Sequence, residues 1–216
     1  MPYTDRRDAG RRLAVELERY AGREDVIVLG LPRGGVEVAY EVALALECPL
    51  DVLIVRKLGV PGHEELAMGA IASGGILILN QDVVDGLGVR DETIASTRAA
   101  ERAELARREE LYREGRALPD LRGKTVIVVD DGLATGATMM AALKALRALE
   151  PAQVVMAVPV GPPDLCRELA AIADEAVCAE TPSAMGAVGA WYTDFRQVRD
   201  ERVTSLLADA RRRHDD

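Results

Sequence analysis

The chain has 216 residues, of which 49% are hydrophobic and 29% are charged, enough for one domain with a complete core. Its net charge of −9 disfavours a general nucleic-acid-binding surface but allows a local basic patch. The charged N-terminus is unlike a signal peptide, and no apolar run reaches transmembrane length. Cys48, Cys166 and Cys178 follow no metal-ligand spacing, so we expect reduced cysteines in a cytoplasmic protein.

An amphipathic helix is predicted near the N-terminus, with Thr4 as its cap and Gly22 just beyond its end. Its apolar residues recur on one face, so its role is expected to be structural. The apolar run 26–29, mostly β-branched, follows and forms the first predicted strand.

A glycine-rich loop, 30–35, connects this strand to a second predicted helix, 36–46. Gly34 and Gly35 allow the backbone to approach a ligand closely, and Arg33 offers a planar fork for phosphate oxygens. A simple tight turn is the alternative interpretation of so short a motif.

The second predicted strand, 50–55, is followed directly by Arg56 and Lys57. Two cations at the end of a parallel strand are costly to hold together unless an anion lies between them. The alternative is a pair of solvated surface charges.

Segment 57–79 is predicted to be a flexible loop and hairpin, with two short strands around a Gly-Gly turn in 70–79. Glycine and proline near the ends of the loop and charges in its middle suit a lid that excludes water. His63 and either Glu64 or Glu65 are the candidates there for proton transfer, although a histidine on a surface loop is more often inert.

Segment 81–122 is predicted to be a charged helical insertion, with one long helix over 91–113. Glu104–Arg108 and Glu109–Arg113 are favourable i,i+4 pairs along it. So polar a helix is expected to pack on a surface by a thin stripe, or against a second subunit, with a solvated outer face.

The most informative stretch is a strand over 126–129 that runs into Asp130 and Asp131, a Gly/Thr turn over 132–138, and an Ala- and Leu-rich helix over 139–149. The turn can surround an anion with backbone N–H groups at a helix N-terminus. Carboxylates are good acceptors for a vicinal diol and can hold a hard cation. The ligand implied is a sugar phosphate.

Further strands are predicted at 154–159 and 176–178, with helices at 164–173 and 200–212. Strands that alternate with helices throughout predict an α/β fold: an open, mostly parallel twisted sheet of about five strands with helices on both faces. We expect one domain over residues 1–216.

Segment 180–198 contains the only Trp and the only Phe of the chain, together with a Tyr. Trp191, Tyr192 and Phe195 can stack on a planar base at the rim of a binding site. They can equally form a small separate hydrophobic cluster that holds the C-terminal segment against the domain.

The run Val-Ile-Val-Val-Asp-Asp-Gly-Leu-Ala-Thr-Gly-Ala-Thr-Met (126–139) resembles the phosphoribosyl-pyrophosphate (PRPP) motif of type I phosphoribosyltransferases. The 30–35 loop, the 57–79 lid and a small C-terminal hood at 180–198 are also similar, in family order. The resemblance implies transfer of 5-phosphoribosyl from PRPP to a nitrogen acceptor, a nucleobase, with release of pyrophosphate. It also implies Mg²⁺, commonly a homodimer, and a strained or cis peptide at Arg33-Gly34.

The resemblance carries roles onto named residues of this chain. The catalytic residues would be Arg33, Lys57, Asp130 and Asp131. PRPP would be bound at its ribose and 5-phosphate by Asp130, Asp131, Gly132, Ala134, Thr135, Gly136, Ala137 and Thr138. Pyrophosphate would lie on Arg33, Gly34, Gly35, Arg56 and Lys57, and the acceptor base on Trp191, Tyr192 and Phe195. Mg²⁺ would be held by Asp130 and Asp131.

One position departs from the 6-oxopurine members of the family, where an aspartate precedes the Thr-Gly pair and this chain has Ala134. This weakens a hypoxanthine or guanine assignment and leaves the acceptor and its acid/base unidentified. Two other functions stay open: a PRPP-sensing regulator without catalysis, and a phosphohydrolase-type module that uses the aspartates for metal.

Overall fold

The computed structural model describes residues 2–215 and contains a five-stranded parallel sheet. The strands of this sheet are β1 (Val26–Gly30), β2 (Leu50–Val52), β6 (Thr125–Val129), β7 (Gln153–Val160) and β8 (Glu175–Glu180). They lie in the order β2-β1-β6-β7-β8. The predicted α/β class and strand number are confirmed. β6, which carries the predicted PRPP motif, is the central strand.

Helices cover both faces of this sheet. They are α1 (Arg6–Glu16), α2 (Gly34–Leu46), α5 (Ala137–Arg147), α6 (Pro163–Ala170) and α7 (Asp200–Asp215). Successive strand residues point to opposite faces, so Val28 and Ile127 lie in one core cluster and Leu29 and Val128 in the other.

The N-terminal helix begins one residue later than a Thr4 cap requires. Asp5 is the cap, and its carboxylate accepts a hydrogen bond from the Asp8 backbone N–H at 2.8 Å. Thr4 instead donates its backbone N–H to the Asp8 side chain. The sequence does not distinguish neighbouring capping residues, and the carboxylate adds favourable charge at the helix N-terminus.

A second, antiparallel sheet is formed by β3 (Val55–Val60), β4 (His63–Ala72) and β5 (Ile76–Leu79). Segment 57–79 is therefore built mainly of paired strands. The prediction that Arg56 and Lys57 end a parallel strand is wrong: β2 stops at Val52, and both cations belong to β3. The sequence shows no break here because residues 50–55 are an almost uninterrupted apolar run.

The insertion contains α3 (Gln81–Gly86) and α4 (Asp91–Arg113), and α4 has the predicted bounds. Both predicted ion pairs of α4 are present. Arg113 departs from the prediction of a solvated face, because its side chain is 3% exposed and bonds to Asp51 and to the Val52 carbonyl oxygen. Within residues 2–215, no helix combines the length and apolarity that crossing a membrane requires.

The expectation of three reduced cysteines is wrong for one pair. Cys166 of α6 and Cys178 of β8 form a disulfide, with Cα atoms 6.6 Å apart. α6 packs against β8 and brings these side chains together, which their spacing does not reveal. Cys48 is a buried free thiol.

Candidate active site

Asp130 and Asp131 directly follow β6, at the carboxyl edge of the sheet's central strand. Ligands of open α/β sheets bind in the crevice outside this edge. The Asp131 backbone N–H donates to Asp130 Oδ1 at 2.8 Å. The two acids therefore lie at the edge of the sheet where ligands of such folds bind.

The glycine loop after β1 packs directly on this acid pair. A Cβ atom on Gly34 would overlap the Asp131 carboxylate, and one on Gly35 would lie 2.8 Å from both Asp130 Cα and the Val129 carbonyl oxygen. Both positions accept only glycine without displacement of the acids. The two loops that were identified separately in the sequence thus form one surface.

Arg6 of α1 is a site residue that sequence reasoning missed. Its Nε lies 2.7 Å from Asp131 Oδ2, and its side chain is only 7% exposed. Nη1 donates to the Arg196 carbonyl oxygen at 2.9 Å, and the guanidinium lies 3.8 Å from the centre of the Phe195 ring. No local motif marks Arg6, since its partner lies far along the chain, beyond several intervening strands.

Burial and the neighbouring Asp131 charge raise the pKa of Asp130 well above its ordinary value. Burial also raises the pKa of Asp131, although the hydrogen bond from Arg6 opposes this shift. Two desolvated carboxylates side by side are stabilised by a cation or by hydroxyl donors from a ligand. Arg6 supplies part of this compensation: it bonds to Asp131 directly, and its charge also lowers the pKa of Asp130.

This donor set fits Mg²⁺, which commonly takes one or two carboxylates and completes its shell with water and substrate phosphate oxygens. Within the described part of the chain, no group of three or more His, Cys, Asp or Glu side chains is placed to hold a metal. Any Mg²⁺ on Asp130 and Asp131 would therefore take its other ligands from substrate and solvent.

The turn after the acids leads into α5 and exposes its amide-rich edge. Gly136 has φ +70° as the N-terminal cap of α5, and a side chain there would collide with Leu165 of α6. Ala134, Thr135, Ala137 and Thr138 are all exposed. The first N–H groups of a helix have no intrahelical acceptor, so this turn presents donors and two hydroxyls to an anion.

Arg33 precedes α2 and lies 3.8 Å from the carboxylate of Asp200, the first residue of α7. Asp200 also accepts a hydrogen bond from the Tyr112 hydroxyl at 2.5 Å. The cis peptide lies at Pro32-Arg33, one bond before the position expected from the resemblance. Arg33 already has helical backbone angles and is the N-terminal cap of α2, so the loop ends at this residue.

Arg56 and Lys57 point to opposite sides of β3. Arg56 pairs with Glu101 of α4 at 2.7 Å, so it fastens the hairpin to that helix. Lys57 is 3.6 Å from Glu65 and, with Thr138 and Lys144, lines a 290 Å³ cavity beside the N-terminus of α5. Of the two cations, Lys57 is the one near the turn that leads into α5.

The proton-transfer candidates lie at the exposed tip of the β3–β4 hairpin. Backbone N–H groups of Glu64 and Gly62 hold the pKa of the Glu64 carboxyl below its ordinary value. Glu64 is therefore ionised and a weak base in this conformation. His63 and Glu65 are exposed beside it.

The aromatic segment forms a small core over the acid pair. The Tyr192 hydroxyl donates to the Asp131 carbonyl oxygen at 2.5 Å, and the Tyr192 and Phe195 ring centres lie 4.9 Å apart. Trp191 Nε1 donates to the Met185 carbonyl oxygen. Tyr192 is buried, whereas Trp191 and Phe195 are half-buried, so part of each ring is exposed to solvent.

Residues 3–180 match the family model of the phosphoribosyl transferase domain. Two Mycobacterium tuberculosis proteins, MT0597 of strain CDC 1551 / Oshkosh and Rv0571c of strain H37Rv, are each 48% identical to the chain over 210 residues. Both carry a provisional phosphoribosyl transferase name. The match covers 97% of this chain and 47% of each relative, so the chain spans about half the length of these curated relatives.

A solved structure of TT1426 from Thermus thermophilus has a TM-score of 0.85 and 44% sequence identity to the chain. The similarity covers 97% of this chain and 99% of that one. Together with the family match, these findings show that the chain belongs to the phosphoribosyl transferase domain family. The resemblance inferred from residues 126–139 is confirmed.

Proposed function

We propose that this chain is a Mg²⁺-dependent phosphoribosyltransferase that moves 5-phosphoribosyl from PRPP to a nitrogen acceptor and releases pyrophosphate. The observation that carries the proposal is the contact between the 30–35 loop and the acid pair. PRPP carries phosphate groups at both ends of its ribose. Such a ligand suits this surface, because the carboxylates of Asp130 and Asp131 would accept hydrogen bonds from the ribose hydroxyls, and the loops 30–35 and 132–138 on either side would bind the phosphates.

In the proposed reaction, the bond from the anomeric carbon to the pyrophosphate oxygen breaks and its electron pair leaves with pyrophosphate. The acceptor nitrogen forms the new bond with its lone pair and gives up a proton. The ribose gains positive charge between these events, so the protein acts mainly by positioning and charge stabilisation.

Residue roles follow from this chemistry. Residues 134–138 would hold the 5-phosphate, and Asp130 and Asp131 the ribose hydroxyls, directly or around Mg²⁺. Arg33, Lys57, Gly34 and Gly35 would hold the departing pyrophosphate. Arg56 contributes less than expected, because Glu101 already neutralises it.

The acceptor is proposed to be a nucleobase that meets the rim surface of Trp191 and Phe195. Tyr192 has a supporting role here, since its ring is buried and its hydroxyl is bonded to Asp131. A homodimer, implied by the family resemblance, and the cytoplasmic location expected from the sequence belong to the same proposal.

The test is pyrophosphate release from PRPP and Mg²⁺ with a panel of nucleobases, with base-specific formation of the nucleoside monophosphate as the positive result. PRPP binding without turnover on any base would favour the sensor alternative. Release of phosphate that does not depend on PRPP would favour the phosphohydrolase alternative.

A further inference from the structure

A groove between α4 and the β4–β5 turn combines a basic end with an apolar floor. Its volume is 450 Å³, within the roughly 300–1,000 Å³ that small-molecule sites occupy. Arg98 and Arg102 stand at one end, and Leu105, Ile71 and Leu118 lie along the floor. None of these residues takes part in the proposed transfer reaction.

Arg98 and Arg102 differ from most other arginines of the chain, including Arg113 and Arg116 of the same groove. Of 24 arginines, 20 have a carboxylate oxygen within 4 Å among the side chains of residues 2–214. The exceptions within that range are Arg90, Arg98, Arg102 and Arg199. Two of these four therefore lie one helical turn apart on the same groove.

Arg98 and Arg102 are an i,i+4 pair of like charge, an arrangement that destabilises a helix. Glu101, the carboxylate nearest to them in the sequence, is taken by Arg56 of β3. Glu109 is the acidic residue that lines the groove, and Arg113 neutralises it at 2.9 Å. An anion between Arg98 and Arg102 would relieve their repulsion.

Arg113 and Arg116 also line the groove but already pair with Glu109 and Glu114, so the apolar part of the lining decides which kind of anion fits. Leucine, isoleucine and alanine side chains offer no hydrogen bonds, so they suit a flat apolar body rather than a bare ion. Gly75 forms part of the opposite wall, and a Cβ atom there would have no neighbour within 4 Å. Guanidinium groups also stack on planar rings.

We propose that this groove binds a nucleoside phosphate, with the phosphate on Arg98 and Arg102 and the base over Leu105 and Leu118. The bound ligand would bridge α4 and the antiparallel sheet. Ile71 of the groove floor pairs in register with Arg56, whose neighbour Lys57 faces the anion-binding turn. Occupancy of the groove would therefore restrain the hairpin that carries the lid.

The test is calorimetric titration of the full chain with AMP, and with inorganic phosphate as an anion without a base. We expect AMP to bind more tightly than phosphate, and saturating Mg²⁺ and PRPP not to displace it. Arg98→Gln with Arg102→Gln should weaken AMP binding at least about tenfold, about 1.4 kcal/mol. Arg90→Gln is the matched control, because it removes an exposed arginine of the same type outside the groove.

Several results would overturn the assignment. They are no AMP binding at millimolar concentration, equal affinity in the double variant, phosphate binding as tight as AMP, or displacement of AMP by PRPP, which would place the nucleotide in the transferase site. Circular dichroism of the double variant checks its fold, and Leu105→Gln provides a second variant that changes the floor without changing charge. Sedimentation that shows a dimer dissociated by the double substitution would make the groove an interface between copies instead. The test does not require transferase activity, so it stands if the proposed function fails.

Discussion

Arg6 and Asp131 lie 125 positions apart in the chain, yet Arg6 Nε is 2.7 Å from Asp131 Oδ2 and both side chains are largely buried. The same guanidinium covers Phe195 and bonds to the Arg196 carbonyl oxygen. Arg6 therefore joins the first helix, the acid pair and segment 180–198 at one point.

Replacing Arg6 should affect both stability and PRPP binding. Arg6→Gln leaves Asp131 buried without its ion-pair partner, so the free energy of unfolding should fall by about 3–5 kcal/mol. PRPP affinity should also fall, because the carboxylate loses its fixed position. Denaturant unfolding and calorimetry measure the two effects.

Arg12→Gln is the control for Arg6, since it breaks an exposed i,i+4 pair with Asp8 on the same helix. Its cost should stay below about 1 kcal/mol. If the two substitutions lower the free energy of unfolding equally, the Arg6–Asp131 contact contributes no more to stability than an exposed ion pair.

The close approach of the two loops makes Gly34 sensitive to a single methyl group. Gly34→Ala should reduce PRPP affinity at least about tenfold, about 1.4 kcal/mol, because the new Cβ atom must displace the Asp131 carboxylate. Gly86→Ala is the control, since a Cβ atom there meets nothing within 4 Å. A Gly34→Ala protein that binds PRPP like the wild type would contradict the packing described for this loop.

The sequence predicted the features that are encoded by residues close together in the chain. β6, its two aspartates and the glycine turn are contiguous, and the charge periodicity of α4 gave its bounds. The contacts of Arg6, the disulfide and the buried side chain of Arg113 depend on how distant segments pack. Arg56 and Lys57 were misplaced because an apolar run hides the change from one sheet to another.

The two cations of β3 should behave differently. Lys57→Gln should lower kcat/KM for PRPP by about tenfold or more if the lysine meets the departing pyrophosphate, a loss of at least about 1.4 kcal/mol in the transition state. Arg56→Gln should mainly lower the melting temperature, since its partner is Glu101. A larger loss of kcat/KM for PRPP in Arg56→Gln than in Lys57→Gln would instead indicate that Arg56 binds pyrophosphate.

The disulfide predicts a defined count of thiols. Unfolded without reductant, the protein should show one thiol to Ellman's reagent, and after reduction it should show three. Reduction should lower the unfolding free energy by about 3 kcal/mol in the loop-entropy model for a loop of similar length. Three thiols before reduction would mean that the cysteines are reduced in solution.

Tyrosine ionisation should destabilise the fold at alkaline pH. Burial and the Glu180 charge raise the pKa of Tyr3 to about 12, and its hydroxyl donates to the Pro159 carbonyl oxygen. The unfolded chain loses this proton near pH 10, so stability should be complete below that pH and fall between about 10 and 12. Tyr3→Phe should flatten this part of the curve, and an unchanged slope would count against the shift.

The central claim is that Asp130 and Asp131 hold the ribose of PRPP, and direct titration of Mg²⁺ and PRPP into Asp130→Asn/Asp131→Asn protein tests it. We expect saturable heat with the wild type and no measurable binding with the double variant, while circular dichroism of the two proteins agrees. Equal affinity of a folded double variant for PRPP would contradict the site.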